Sequence, residues 1–152
     1  MLIHNASSLG PVPLAPLADT ECEELEAALA TNLVGPFRLT KALLGALGAS
    51  AREGRRPLVV HISSDAAETP YPGWGAYGAS KAAFAHLGRI WDEELRDSGI
   101  RVLALDPGDM DTPLHASALP EADRSTLQSP ADAAARLLEA IEARLAEEAV
   151  AA

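Results

Sequence analysis

The sequence predicts an α/β fold in which short parallel strands alternate with longer helices. Short runs rich in β-forming residues are separated by segments whose apolar residues recur at helical spacing, which is the pattern of βαβ units. Residues 58–62 and 100–105 are almost continuously apolar, as expected for parallel strands covered on both faces. The length of 152 residues is typical of one domain, so residues 1–152 are expected to form a single α/β domain.

The first predicted strand covers residues 2–6, and a proline-rich loop follows over residues 7–17. Thr20 and Glu23 have the spacing of a capping box, so a helix is predicted to begin there and to continue towards residue 47.

Pro36 lies inside this predicted helix and has no N–H to donate to the carbonyl of Asn32. The helix is therefore expected to kink, leaving the Asn32 carbonyl free to accept a hydrogen bond from water. A purely structural kink is an equally good interpretation of this segment alone.

The second predicted strand, at residues 58–62, follows a polar loop over residues 48–57. A loop over residues 64–75 then leads into a helix over residues 76–96, and the third predicted strand covers residues 100–105.

The end of the chain is predicted to be irregular over residues 106–128 and helical afterwards. Ser129, Pro130 and Asp132 have the order of an N-cap, a first-turn proline and an acidic third helical residue. The apolar residues expected on one face of this helix are Leu137, Leu138, Ile141 and Leu145.

Composition argues against several classes of partner. The net charge of −10 repels nucleic acid and anionic lipid surfaces, so neither partner is expected. Cys22 is the only cysteine, and the four histidines lack metal-ligand spacing, so no metal site is expected. No transmembrane run or signal peptide is recognisable, so a cytoplasmic location is expected.

Tyr77, Lys81 and Ser64 form the sharpest chemical pattern in the sequence. Tyr77 and Lys81 are four residues apart in a predicted helix, so their side chains share one face. A nearby ammonium would lower the pKa of the phenol and allow Tyr77 to act as a general acid or base. Ser64 follows a predicted parallel strand, where its hydroxyl could bond a substrate oxygen. A chance spacing is the alternative.

Two further groups of residues near Ser64 have open interpretations. The acids Asp65 and Glu68 are interpreted as solvated loop residues. Tyr71, Trp74 and Tyr77 either line a pocket for an apolar or ring substrate or simply pack the loop.

Five short blocks, in this order, resemble motifs of the short-chain dehydrogenase/reductase family, whose active site contains Ser and Tyr-x-x-x-Lys. The blocks are residues 4–7 (HNAS), 32–37 (NLVGPF), 62–64 (ISS), 77–81 (YGASK) and 106–112 (DPGDMDT). The first block departs from the family's Asn-Asn-Ala-Gly, with His for the first Asn and Ser for the Gly.

The resemblance implies reversible hydride transfer between NADP or NAD and a small carbonyl or alcohol substrate. Tyr77 would donate or accept the proton, and Ser64 would polarise the substrate oxygen. Lys81 would lower the Tyr77 pKa and bond the nicotinamide ribose, and Asn32 would hold a water linked to Lys81. The residues implied in cofactor binding are Asn5, Ala6, Tyr77, Lys81, Pro107, Gly108, Met110 and Thr112.

The family's dinucleotide site begins with a strand, a Gly-rich turn and a helix N-terminus. None of the eleven glycines belongs to a G-x-x-x-G-x-G turn. The resemblance therefore implies a partial Rossmann-like, doubly wound parallel sheet of about three strands with flanking helices, in a truncated domain whose N-terminal strands are missing. The strand at residues 2–6 would have an unpaired edge, and members of the family commonly form oligomers. The resemblance therefore implies a homo-oligomer.

Two functions remain open from the sequence. One is an NAD(P)-dependent oxidoreductase, and the other is a non-catalytic remnant or interaction module that lacks the dinucleotide-binding turn. Residues 4–10 and the loops around Trp74 and Asp109 resemble sepiapterin-reductase-type members of the family, which use NADPH, so NADP is favoured over NAD.

Overall fold

A computed structural model describes residues 1–151 of the chain, with side chains described through residue 146. Its sheet has three parallel strands in the order β1 (Leu2–His4), β2 (Leu58–Ile62) and β3 (Arg101–Leu105). The α/β class and the parallel sheet of three strands that the sequence predicts are confirmed. Strand β1 is shorter than predicted, because Asn5 and Ala6 lie beyond the ladder.

Helix α1 (Cys22–Leu29) begins one position later than the predicted capping box. Glu21 and Glu24 form the reciprocal bonds of the box, and the Thr20 hydroxyl instead donates to the carbonyl of Pro16 at 3.0 Å. The prediction for Thr20 and Glu23 was wrong because the short 3-10 turn Leu17–Asp19 already engages the threonine.

A π-helical turn, Ala30–Val34, separates α1 from α2 (Gly35–Arg52). In this turn the N–H of Gly35 donates to the carbonyl of Ala30, five residues back. Pro36 follows directly, in the first turn of α2, where the missing N–H is tolerated. The irregularity expected near Asn32 is therefore a π-turn rather than a simple break.

Helix α2 extends further than the sequence predicts and ends at Arg52. The polar loop predicted over residues 48–57 is thus helical in its first half. Glu53 and Gly54, the latter with a φ of +79°, form the turn that ends the helix.

Strand β2 lies at the centre of the sheet and is buried along its whole length. Helix α3 (Gly75–Leu95) contributes buried residues including Ala76 and Phe84 to the same core. After a 3-10 turn, Arg96–Ser98, Gly99 adopts a φ of +71° and leads into β3. Another 3-10 turn, Asp65–Ala67, follows β2.

The chain divides into two compact units, the first ending at residue 106. The second unit contains α4 (Pro113–Ala118), a 3-10 turn at Arg124–Thr126, and α5 (Pro130–Ala151). The prediction of an irregular segment over residues 106–128 was therefore wrong for α4, which the Thr112 hydroxyl caps by accepting from the N–H of His115.

The start of α5 agrees with the sequence pattern. The Ser129 hydroxyl accepts from the N–H of Asp132 at 3.1 Å, as an N-cap should. The expected apolar face is wrong for Leu138, which is 51% exposed, whereas Ile141 is 6% exposed. Among the described residues, no helix combines the length and apolarity needed to cross a membrane.

Candidate active site

Tyr77 and Lys81 lie in the first turns of α3, and both side chains are buried, at 8% and 3% exposure. The Lys81 Nζ atom is 5.4 Å from the centroid of the Tyr77 ring. The structure therefore brings the two residues together on one helix face, as their spacing predicts.

The Lys81 ammonium donates to the carbonyl of Ile62, the last residue of β2, at 2.8 Å. This bond connects α3 to the carboxyl end of the central strand. Burial lowers the pKa of Lys81 to about 8, and the negative charge of Asp106 opposes that decrease. An ammonium has three N–H donors, so Lys81 keeps donors for a ligand beyond the one directed at Ile62.

The Tyr77 phenol has a raised pKa. Burial is the largest cause, and the charges of Asp106 and Asp65 also raise it, while the nearby Ser64 and Ser7 hydroxyls act in the opposite direction. The expected lowering of the Tyr77 pKa was therefore wrong for this arrangement. The physical reason is that burial and two carboxylates together outweigh the stabilisation of the phenolate.

Ser64 lies directly beyond the carboxyl end of β2 and caps the turn Asp65–Ala67. Its hydroxyl accepts from the N–H of Ala66 at 3.2 Å and donates to Asp65 Oδ1 at 3.1 Å. Gly78 allows this turn to approach α3, because a Cβ built there would lie 2.8 Å from the carbonyl oxygen of Ala66.

Asn32 is 1% exposed within the π-turn, and its side-chain amide forms three hydrogen bonds. Its Nδ2 donates to the carbonyl of Ser8 and to the hydroxyl of Ser80, and its Oδ1 accepts from the N–H of Ser8, at 2.7 to 2.8 Å. The sequence pointed to the carbonyl of Asn32 and missed this side-chain role. Pairing a buried amide requires such partners, but their positions depend on the tertiary fold.

Asn5 and Ala6 are exposed and follow β1 directly. Parallel strands end at one edge of their sheet, so these two residues lie at the same edge as Ser64. His4, the last residue of β1, is buried, and its Nε2 bonds the Thr40 hydroxyl at 2.7 Å.

A cavity of about 440 Å³ opens beside Ser64. Acidic and hydroxyl side chains dominate its lining, and Arg89 contributes a positive charge. Its lining residues include Ser63, Ser64, Asp65, Glu68, Arg89 and Asp106.

Asp65 is the functional candidate that sequence reasoning missed. Asp65 is an exposed loop acid, as the sequence favours, and its carboxylate also accepts from the Ser64 hydroxyl and from the Tyr71 hydroxyl. Its position immediately after Ser64 was the only signal available in the sequence.

Trp74 contacts the Tyr77 ring edge-on, with centroids 5.6 Å apart.

The other cofactor candidates belong to the second compact unit, which begins at residue 107. Gly108 has a φ of +73°, and the Gln128 side chain donates to the carbonyl of Pro107. Met110 pairs with Gln128 in a parallel bridge, and the Thr112 hydroxyl caps α4. In the described part of the chain, no group of three or more His, Cys, Asp or Glu side chains is arranged to hold a metal ion.

Comparison with known proteins gives consistent matches. The family model for short chain dehydrogenases matches residues 1–123. Sepiapterin reductase from Xenopus laevis is 36% identical over 115 residues, covering 76% of this chain and 42% of that protein. The uncharacterized oxidoreductase YciK from Escherichia coli (strain K12) is 32% identical over 131 residues, covering 86% of this chain and 49% of that protein. The chain thus spans less than half the length of these two relatives.

A solved structure gives the same picture at the level of the fold. The short chain dehydrogenase from Shigella flexneri 2a, complexed with NADP, aligns with a TM-score of 0.78 at 32% identity. The alignment covers 86% of this chain and 52% of that one. The predicted Rossmann-like arrangement of sheet and helices is confirmed by this likeness.

Proposed function

The chain belongs to the short-chain dehydrogenase family, and from this premise we propose that it is an NAD(P)-dependent oxidoreductase acting on a small carbonyl or alcohol. One observation carries the proposal: Ser64 and the buried pair Tyr77 and Lys81 meet at the carboxyl end of β2. Ligands of open α/β sheets bind at this edge.

Tyr77 is proposed to supply the proton. Because burial raises its pKa, the phenol is protonated at neutral pH and is ready to donate to a substrate oxygen. This favours the direction in which a carbonyl is reduced to an alcohol. In the opposite direction, Tyr77 must first lose its proton. Because its pKa is raised, this requires a higher pH than for an ordinary tyrosine. The Ser64 hydroxyl would polarise the same substrate oxygen.

When bound, the nicotinamide cofactor supplies or accepts the hydride. The Lys81 ammonium suits the ribose hydroxyls next to the nicotinamide, because it retains N–H donors and lies beside Tyr77. Asn32 is proposed to act through its backbone carbonyl, since its amide is engaged by Ser8 and Ser80. The remaining proposed cofactor-binding residues are Asn5, Ala6, Pro107, Gly108, Met110 and Thr112.

NADP(H) is proposed over NAD(H). Two likenesses support this preference: the similarity to sepiapterin-reductase-type members, and the solved relative that is complexed with NADP. The 152 residues contain no G-x-x-x-G-x-G turn. The residues proposed to bind the cofactor are therefore matched to its nicotinamide side and not to its pyrophosphate.

Homo-oligomeric assembly in the cytoplasm is part of the proposal. Exposed apolar side chains on α2 and α3, among them Leu39 and Ile90, support an association surface. Measuring the mass of the chain in solution by light scattering would test it, and a monomer at all concentrations would contradict it.

A non-catalytic remnant or interaction module is the second candidate function. The lack of a Gly-rich turn within the sequence is the observation that favours it. Such a module would keep the fold and the buried Tyr77–Lys81 pair without binding a dinucleotide.

Titration of the purified chain with NADPH and NADH, followed by nicotinamide fluorescence, separates the two candidates. The oxidoreductase proposal predicts saturable binding that Lys81→Met weakens. If neither cofactor binds at millimolar concentration, the chain by itself is the non-catalytic module.

A further inference from the structure

Asp65 contacts the candidate catalytic serine directly. The Ser64 hydroxyl donates to Asp65 Oδ1 at 3.1 Å, and the Tyr71 hydroxyl donates to Asp65 Oδ2 at 2.8 Å. Two hydroxyl groups are thus bonded to different oxygens of one carboxylate. All three residues lie in the segment between β2 and α3.

The hydrogen bonds of Ser64 determine where its proton lies. A serine hydroxyl has one proton and two lone pairs, and an ionised carboxylate can only accept. In this structure the Ser64 proton therefore points to Asp65, while the N–H of Ala66 occupies one lone pair at 3.2 Å. What Ser64 can still offer to the site is an acceptor, although polarising a substrate oxygen requires a donor.

We propose that Asp65 is a positioning residue that sets the direction of the Ser64 hydroxyl, with Tyr71 holding the Asp65 carboxylate in place. Its meaning for catalysis rests on the proposed oxidoreductase function, but the contacts that carry it lie entirely within this chain. A substrate oxygen must draw the Ser64 proton away from Asp65. Substrate binding therefore competes with the Ser64–Asp65 hydrogen bond.

The phenol of Tyr77 reports on this arrangement. The polar and charged groups around it are Ser7, Ser64, Asp65, Lys81 and Asp106. Removing the Asp65 carboxylate takes away one negative charge and leaves the Ser64 proton free to bond the Tyr77 oxygen. Both changes stabilise the phenolate, so the pKa of Tyr77 should decrease.

The chain has two tyrosines, which makes the measurement direct. Tyrosine labelled with ¹³C at Cζ gives two NMR signals, and Tyr71→Phe assigns them. The signal of Tyr77 is followed against pH in the wild type, Asp65→Ala and Asp65→Asn, without cofactor. Both substitutions are expected to lower the Tyr77 midpoint, and an unchanged midpoint in both overturns the proposal.

Glu68→Gln is the matched control, because Glu68 lines the same cavity and lies in the same segment as Asp65. Its Tyr77 midpoint is expected to equal that of the wild type. An equal decrease in Glu68→Gln would show a general effect of charge and would also overturn the proposal. Tyr71→Phe keeps the Asp65 charge but removes the bond that holds the carboxylate, so its Tyr77 midpoint should lie between those of the wild type and Asp65→Ala.

The titration requires no turnover, so its result is independent of the proposed function, whose failure would appear as absent cofactor binding. With an active preparation, Asp65→Ala is expected to lower the KM for the carbonyl substrate more than it changes kcat, since the competing bond is gone. An unchanged KM contradicts the proposed competition. Equal thermal unfolding midpoints of the variants exclude a general loss of structure.

Discussion

The side-chain amide of Asn32 donates to the hydroxyl of Ser80 at 2.8 Å, and Ser80 in turn donates to the carbonyl of Tyr77 at 2.6 Å. The same amide holds the backbone of Ser8 through its N–H and its carbonyl. One buried side chain therefore joins the loop after β1, the π-turn and the helix that carries Tyr77.

Replacing Asn32 should destabilise the fold strongly. Asn32→Ala removes the side-chain partner of the Ser8 N–H and carbonyl and the donor to the Ser80 hydroxyl, which keeps only its bond to Tyr77, at a cost of about 2 to 4 kcal/mol in the free energy of unfolding. Urea denaturation measures this cost. The exposed Asn5 provides the control, because Asn5→Ala should change the free energy of unfolding by less than about 0.5 kcal/mol. Equal losses in the free energy of unfolding for Asn32→Ala and Asn5→Ala would contradict the stabilising role assigned to the Asn32 amide.

Tyr77→Phe tests the proposed proton donor. Phenylalanine keeps the ring that contacts Trp74 edge-on but lacks the hydroxyl, so turnover should be abolished while cofactor affinity stays nearly intact. Lys81→Met should weaken both cofactor binding and turnover, because Lys81 is proposed to bond the cofactor. Fluorescence titration and initial rates distinguish the two variants. Turnover retained by Tyr77→Phe would refute the assigned role.

Gly78→Ala should disturb the turn that carries Ser64. The added Cβ would lie 2.8 Å from the backbone carbonyl oxygen of Ala66, and backbone cannot move away as a flexible side chain can. We expect a loss of about 1 to 3 kcal/mol, as for other overpacked sites, measured by urea denaturation. Gly45 is a helical glycine where an added Cβ would meet open space, so Gly45→Ala should stabilise α2 by about 0.5 to 1 kcal/mol. The same sign for both variants would contradict the steric argument.

Asp92→Asn should destabilise the junction between α3 and β3. The carboxylate accepts from Arg101 Nε at 2.9 Å, from Arg101 Nη2 at 2.8 Å and from the N–H of Val102 at 2.8 Å. Burial alone would raise the pKa of Asp92, but these bonds and the charges of Arg101 and Arg96 lower it. We expect a loss of about 1 to 3 kcal/mol, since charged hydrogen bonds are involved.

The control for Asp92 is Glu93, whose pair with Arg96 is 71% exposed on the glutamate side. Glu93→Gln should change the free energy of unfolding by at most about 0.5 kcal/mol. Because the Asp92 pKa is lowered by folding, its contribution is present above the unfolded pKa near 3.8 and is lost as the pH falls through the folded value. A loss in Glu93→Gln as large as in Asp92→Asn would contradict this account.

His61 should make the fold sensitive to acid. Within the described part of the chain its two ring nitrogens have no hydrogen-bond partner, and burial, followed by the charges of Lys81 and His4, lowers its pKa to about 3. The unfolded chain, with a histidine pKa of 6.5, binds more protons between about pH 6.5 and pH 3. Stability should therefore fall as the pH decreases through this window, by up to about 1.4 kcal/mol per pH unit for this proton.

Urea denaturation between about pH 7 and pH 4 measures this slope. His61→Leu should reduce it, while the lowered pKa of His4 maintains a smaller slope of the same sign. His86 is exposed, so His86→Gln should leave the slope unchanged. If His61→Leu keeps the wild-type dependence of the free energy of unfolding on pH, groups other than His61 cause the acid sensitivity.

The sheet and the main helices could be predicted because their patterns are local. The apolar run Leu58–Ile62 predicts a strand with the bounds that the structure shows, and Ser129 caps α5 as its sequence context indicates. Helix ends were less predictable. Thr20 had the spacing of a cap, but a preceding turn engaged its hydroxyl.

The members of the candidate site were predictable from motif spacing, but their electrostatics were not. The spacing of Tyr77 and Lys81 predicts that they meet, and they do. The direction of the Tyr77 pKa depends on how deeply α3 buries the phenol and on where Asp65 and Asp106 lie. Those are properties of packing between distant segments, and a one-dimensional pattern does not contain them.

The pairing of the strands also bears on how fast this chain folds. Leu2 pairs with Val59, and Leu58 pairs with Arg101, so each ladder closes a long loop before its contacts can form. Topologies dominated by such non-local contacts fold slowly. The segment after β1, which places Ser7 and Ser8 beside the helix carrying Tyr77, is therefore expected to order among the last. The helices, whose contacts are local, are therefore expected to form before the residues of the candidate site come together.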